Sequence, residues 1–73
     1  MKRNLEIYLR DDASVEPYRE KTIHTTYVEM FKDHVMYLAD GDDHNSIHID
    51  KNHDWWVNGE KYEYLFVHAR KET

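Results

Sequence analysis

Leu5, Ile7 and Leu9 alternate with Glu6, Tyr8 and Arg10, so an extended chain carries its aliphatic side chains on one face. This pattern predicts a strand over residues 4–10. Asp11-Asp12-Ala13-Ser14 breaks it, and Pro17 lacks a backbone donor, so the chain to about residue 21 reads as a loop. A single helical turn starting near Pro17 is the competing reading, because proline suits the first helical position.

From Thr22 the residues become β-branched and aromatic, with Ile23, Thr25, Tyr27 and Phe31 on one parity and Thr26, Val28 and Met30 on the other. A second strand is expected over 22–31. Lys32-Asp33-His34 is a short polar break before Val35-Met36-Tyr37-Leu38-Ala39, which together predict a hairpin with a short loop. Asp40-Gly41-Asp42-Asp43-His44-Asn45 has loop composition, and Ser46-Ile47-His48-Ile49-Asp50 resumes the alternation with Ile47 and Ile49 inward.

The sharpest local signal is Asn58-Gly59 between Trp55-Trp56-Val57 and Glu60-Lys61-Tyr62. This dipeptide accepts positive φ at both central positions of a type I′ turn, and a two-residue loop fixes the register. Val57 should face Glu60, Trp56 face Lys61, Trp55 face Tyr62, and Asp54 face Glu63. Lys61 is then placed to lie over an indole, while Asp54 and Glu63 form a like-charge contact that needs a cation, water or proton between them. In the last run, Leu65, Val67 and Ala69 share one face and Tyr62, Tyr64, Phe66 and His68 the other, so both faces are apolar or aromatic. The simplest expectation is a central strand buried on both sides; the functional alternative is an exposed aromatic platform.

About five to six short strands with closely spaced turns predict an all-β domain, a small curved antiparallel sheet or barrel. The alternative is an α+β domain with one short helix within 12–21 covering an open sheet. Residues 1–73 suffice for one domain with one modest core, which disfavours a deep substrate cavity. Hydrophobic residues at 40% and charged residues at 34% fit a folded chain. There is no cysteine, so stability has to come from packing, with neither a disulfide framework nor a thiolate metal site. The charged start and the lack of a long apolar run predict neither a signal peptide nor a membrane span, and a cytoplasmic location is expected.

Net charge is −5, which repels a phosphate backbone and makes direct nucleic-acid binding the less favoured option. Protonating all six histidines would carry the chain to +1, so its field responds to mild acid. His44, His48 and His53 lie among Asp42, Asp43, Asp50 and Asp54, a ligand-rich segment that raises zinc or nickel. Their three- to four-residue spacing suits a helix, however, whereas Ile47-His48-Ile49 reads as strand and leaves His44 in the preceding loop, so no metal or other cofactor is assigned. A calcium loop starting at Asp50 fails because Trp55 stands where glycine is required and Lys61 where glutamate closes the loop. The register starting at Asp40 fails at Asn45 and Lys51 in the same way.

No catalytic residue is assigned. Ser14 and Ser46 lack a nucleophile elbow, two glycines cannot make a phosphate loop, and a His–carboxylate pair such as His48 with Asp50 is common by chance in so polar a chain. The chain is therefore expected to bind rather than catalyse. Asp40, Asp42, Asp43, Asp50 and Asp54 lie in a segment with one lysine, adjoining Trp55 and Trp56 and the tyrosines Tyr62 and Tyr64. These nine residues form the expected contact surface for a protein partner, with carboxylates that could imitate phosphates toward a basic nucleic-acid enzyme. Small size, acidity, β-richness and lack of catalytic equipment are the profile of many virus-encoded inhibitors, so an inhibitor or regulator is the leading expectation.

Two further readings accompany it. One is a barrel that stacks single-stranded nucleic acid on Tyr8, Tyr62, Tyr64 or Phe66; its bases would come from the two chain ends, which converge only if the first and last strands are neighbours. The other is a histidine metal site or pH switch. A homodimer through an exposed aromatic edge strand is also compatible with the pattern.

Overall fold

The computed structural model describes residues 4–39 and 43–69. Eight strands follow in chain order: β1 (Leu5–Arg10), β2 (Glu20–Thr25), β3 (Val28–Met30), β4 (His34–Leu38), β5 (His44–Ile49), β6 (Trp55–Val57), β7 (Glu60–Tyr62) and β8 (Tyr64–Ala69). The described residues contain no helix, so the all-β expectation holds and the α+β alternative does not. The strands form two antiparallel sheets, a three-stranded one in the order β2-β1-β8 and a five-stranded one in the order β3-β4-β5-β6-β7. They do not close into a barrel.

Two predicted single strands turn out to be two each, and those breaks create the two sheets. The expected strand over 22–31 splits at Thr26 and Tyr27, with β2 in one sheet and β3 in the other. Thr25, 8% exposed, fastens the crossing: its hydroxyl donates to the Leu38 carbonyl at 2.7 Å and accepts from the Tyr27 amide at 3.3 Å. A buried hydroxyl needs such partners, and here they come from both sides of the crossing. The second break is Glu63, which separates β7 from β8.

One core lies between the sheets. Ile7 and Leu9 of β1 meet Val35, Tyr37, Ile47, Val57 and Tyr62 of the five-stranded sheet, all between 0% and 5% exposed. Ile23, Val28, Trp55 and Leu65 pack around them. Ile7 and Leu9 of β1 and Ile47 of β5 therefore point inward as expected, and Val35 and Tyr37 of β4 do the same.

The Asn58-Gly59 hairpin forms in the predicted register, with Val57 opposite Glu60, Trp56 opposite Lys61 and Trp55 opposite Tyr62. Asn58 and Gly59 have φ of 50° and 80°, the two positive values a type I′ turn requires. Lys61 does not lie over the indole. Its Nζ is instead 3.9 Å from Asp54 Oδ2, and the ladder ends at Trp55 and Tyr62, so the predicted pairing of Asp54 with Glu63 is not part of it. His34 belongs to β4 and His44 to β5, so both extend strands beyond their predicted ends.

Residues 11–19 form a closed loop instead of a helical turn. The Asp12 carboxylate accepts from the Ser14 amide at 2.9 Å and hydroxyl at 2.7 Å, an Asx turn, and the Asp11 amide bonds the Arg19 carbonyl at 3.0 Å. Arg19 ties this loop to the five-stranded sheet: it pairs with Asp11 at 2.9 Å, donates to the Lys61 carbonyl, and lies 5.0 Å over the Tyr62 ring.

Candidate binding surfaces

The outer face of the three-stranded sheet is set by the even positions of β1 and their cross-strand partners. Tyr8 faces Phe66 and Thr22, Arg10 faces Tyr64 and Glu20, and Glu6 faces His68 and His24. Because side chains two apart on a strand share a face, Tyr64, Phe66 and His68 line up along β8. Their rings lie nearly parallel: Tyr64 to Phe66 at 6.4 Å and 16°, Phe66 to His68 at 6.3 Å and 17°, with Tyr8 stacked on Phe66 at 6.4 Å and 26°. The Arg10 guanidinium caps the row, 4.8 Å from the Tyr64 ring and 5.6 Å from that of Phe66. Tyr64 is 43% and Phe66 39% exposed.

This corrects the expectation of a central strand buried on both sides. Among the described residues β8 has only β1 beside it, so it is an edge strand there, and its aromatic face looks outward. It also separates two tyrosines that sequence parity had joined. Tyr62 belongs to β7, is 3% exposed and is a core residue, so it cannot act as a contact residue or a base-stacking one. Tyr64, beyond the break at Glu63, stands on the open face.

A second row crosses the outer face of the five-stranded sheet. His34 faces His48, His48 faces Trp56, and Trp56 faces Lys61. Phe31 stacks on His34 at 4.4 Å and 9°, and the His34 and His48 rings are 5.8 Å apart. Trp56 is 41% exposed, whereas Trp55 points the other way, against the core.

The acidic segment is less available than its composition suggests. One oxygen of Asp50 accepts from the amides of Asn52 at 2.8 Å and Asp54 at 3.0 Å, and the other accepts from Trp56 Nε1 at 2.8 Å. The bond from Trp56, followed by that from the Asp54 amide, holds the Asp50 carboxyl below the ordinary aspartate range. Asp54 is part-buried beside Lys61, while Asp43 is exposed. Asp40 and Asp42 lie outside the described residues.

His44 and His48 share β5 four residues apart, and His53 sits in the β5–β6 turn with φ of 64°. Among the described residues, no three histidines or carboxylates gather into a metal-holding group. A cavity of about 510 Å³ opens between the 11–19 loop and Lys61 and Glu63, with Asp11, Arg19 and Tyr18 on its walls. Arg19, its main cation, is already engaged by Asp11 and the Lys61 carbonyl.

Of the nine expected contact residues, Trp56 and Asp50 are joined by a hydrogen bond, Asp54 adjoins them, and Tyr64 stands on the opposite sheet. Arg10, His68, Phe31 and His34 were not singled out in the sequence. The signal for Arg10 was present, since it shares parity with Tyr8, but its meaning depended on β1 lying beside β8. Protein-family models, curated proteins and solved structures offer no match to this chain.

Proposed function

We propose that this chain is a non-catalytic protein-binding module that docks through the outer face of its three-stranded sheet. The observation that carries this reading is the row of exposed Phe66, Tyr64 and His68, with half-buried Tyr8 stacked on Phe66 and Arg10 capping the row. Stacked rings offer large contact area at low cost in side-chain entropy, and arginine beside aromatics is typical of interface centres. With a chain charge of −5, the partner that fits is a basic protein presenting apolar groups, such as a nucleic-acid enzyme whose activity the module would regulate or inhibit. The acidic stretch around Asp43 would act as a steering element and not as the centre of contact, because Asp50 and Asp54 are occupied within their own hairpin.

The test is capture of a basic partner from cytoplasmic extract by wild-type chain and by Tyr8→Ala, Tyr64→Ala and Phe66→Ala variants. A partner retained by wild type and by Lys51→Ala but lost with Phe66→Ala supports the proposal; retention by all three aromatic variants refutes it. Charge reversal in Asp42→Lys with Asp43→Lys should flatten the salt dependence of the same complex, since rim charges act chiefly on encounter.

A second reading, single-stranded nucleic acid, draws on the same row. β1 and β8 are neighbours with Leu5 opposite Ala69, and the sequence next to those residues contains Lys2, Arg3, Arg70 and Lys71. A gel shift at low salt decides it: binding lost with Phe66→Ala favours this reading, and no binding removes it.

A further inference from the structure

The outer face of the five-stranded sheet sets two histidines side by side. β4 and β5 run antiparallel with His34 opposite His48. In the neighbouring pair the Ile49 amide donates to the Asp33 carbonyl at 3.1 Å, so His34 and His48 form a non-hydrogen-bonded pair, where facing side chains come closest. Their ring centres are 5.8 Å apart. An ion about 2.0–2.1 Å from one nitrogen of each ring lies about 3.2 Å from each ring centre, so two imidazoles that share it have centres about 5–6.4 Å apart. The observed separation falls inside that span.

His34 is also oriented as a ligand would be. Its Nδ1 lies 2.8 Å from Asp33 Oδ1, and Phe31 stacks flat on its ring at 4.4 Å and 9°. An ionised carboxylate only accepts, so Nδ1 carries the proton and the lone pair of the neutral ring is on Nε2. Metal-binding histidines usually have such a carboxylate partner, because it fixes the tautomer and raises the basicity of the nitrogen that binds. His48 is exposed, and among the described residues no hydrogen bond restrains its ring, so it is free to turn a nitrogen to the same ion.

We infer that His34 and His48 form a site for one first-row divalent transition ion of the Zn²⁺ class, with water completing its shell. Imidazole nitrogen suits Zn²⁺, Ni²⁺ and Cu²⁺, whereas Mg²⁺ and Ca²⁺ take oxygen. Among the described residues no third histidine or carboxylate joins the pair, so the ion keeps open positions. His44 shares the face but stands about 13 Å along β5 from His48, with its ring edge-on to Tyr27, and His53 lies in the β5–β6 turn. The partner of His48 is therefore the histidine across the ladder, and not the two that flank it in the sequence.

The site lies on the other sheet from the proposed docking row, so the two can fail separately. Calorimetry on the untagged chain should show one Zn²⁺ bound per chain, undisturbed by excess Mg²⁺. His34→Ala and His48→Ala should each stay folded by circular dichroism and weaken binding by roughly tenfold or more, and Asp33→Ala should weaken it by about tenfold through loss of the positioning carboxylate. His44→Ala and His53→Ala should bind as wild type does. Trp56 faces His48 across the ladder and supplies a second readout: Ni²⁺ should quench tryptophan fluorescence in wild type and not in His48→Ala. Failure of wild type to take up Zn²⁺ at millimolar concentration overturns the inference. So does binding that persists unchanged without His34 or His48, or that His44→Ala or His53→Ala weakens as much.

Discussion

The carboxylate of Asp50 accepts three hydrogen bonds, two from backbone amides of its own turn and one from the Trp56 indole. Its folded pKa lies below the unfolded one, so its contribution is fully present above the ordinary aspartate value and is lost as pH falls through the folded value. Asp12, held down first by the Ser14 hydroxyl and then by its amide, and Asp33, held down by His34, have the same sign. Acidification below about pH 4 should therefore lower the melting temperature progressively, and Asp50→Asn should shrink that dependence while costing a few degrees at neutral pH. Thermal melts monitored by circular dichroism across pH check both. At Gly59, with φ of 80°, an added Cβ would meet nothing within 4 Å, so the penalty for Gly59→Ala is conformational alone. Urea titration should show a loss of about 1–2 kcal/mol, the cost of left-handed backbone for a residue with a Cβ.

Among the elements, β1 is the organiser. Its odd positions Ile7 and Leu9 belong to the core, and its even positions Tyr8 and Arg10 support the outer aromatic row. A cross-strand pair of this kind contributes about 0.2–1 kcal/mol, so Tyr8→Ala and Phe66→Ala should unfold in urea close to wild type. Any larger effect of these variants on partner capture then reports the surface itself. Ile47→Ala removes a fully buried side chain from the centre of β5 and should cost about 2–5 kcal/mol, a large part of the roughly 4–11 kcal/mol expected for a domain of 73 residues. Equilibrium denaturation measures that loss directly.

Across the whole molecule, two sheets enclose one small core and leave a ring-lined row on each outer face, one of stacked tyrosine and phenylalanine, the other running from Phe31 through His34 and His48 to Trp56. Aromatic residues make up 14% of the chain, more than the core of seven buried apolar side chains among the described residues, two of them tyrosines, can take in. Apart from Trp55, which packs against the core, the remainder is exposed or half-buried, and the geometry collects much of it into rows instead of scattering it.

The cleanly alternating strands, the all-β class and the closing hairpin are all legible in the order of the residues. Each follows from local rules, the period-two projection of side chains and the positive φ accepted by Asn58 and Gly59. Which of the alternating faces are covered follows instead from how the two sheets pack. Parity placed Tyr62 and Tyr64 together, but the break at Glu63 sends one into the core and the other to an open edge. Composition made Asp50 a surface charge, but a neighbouring indole and two amides enclose it. The physical reason is common to both: alternation fixes the side of a strand on which a residue stands, while burial depends on the second sheet, whose position is set by long-range pairings that leave no local mark.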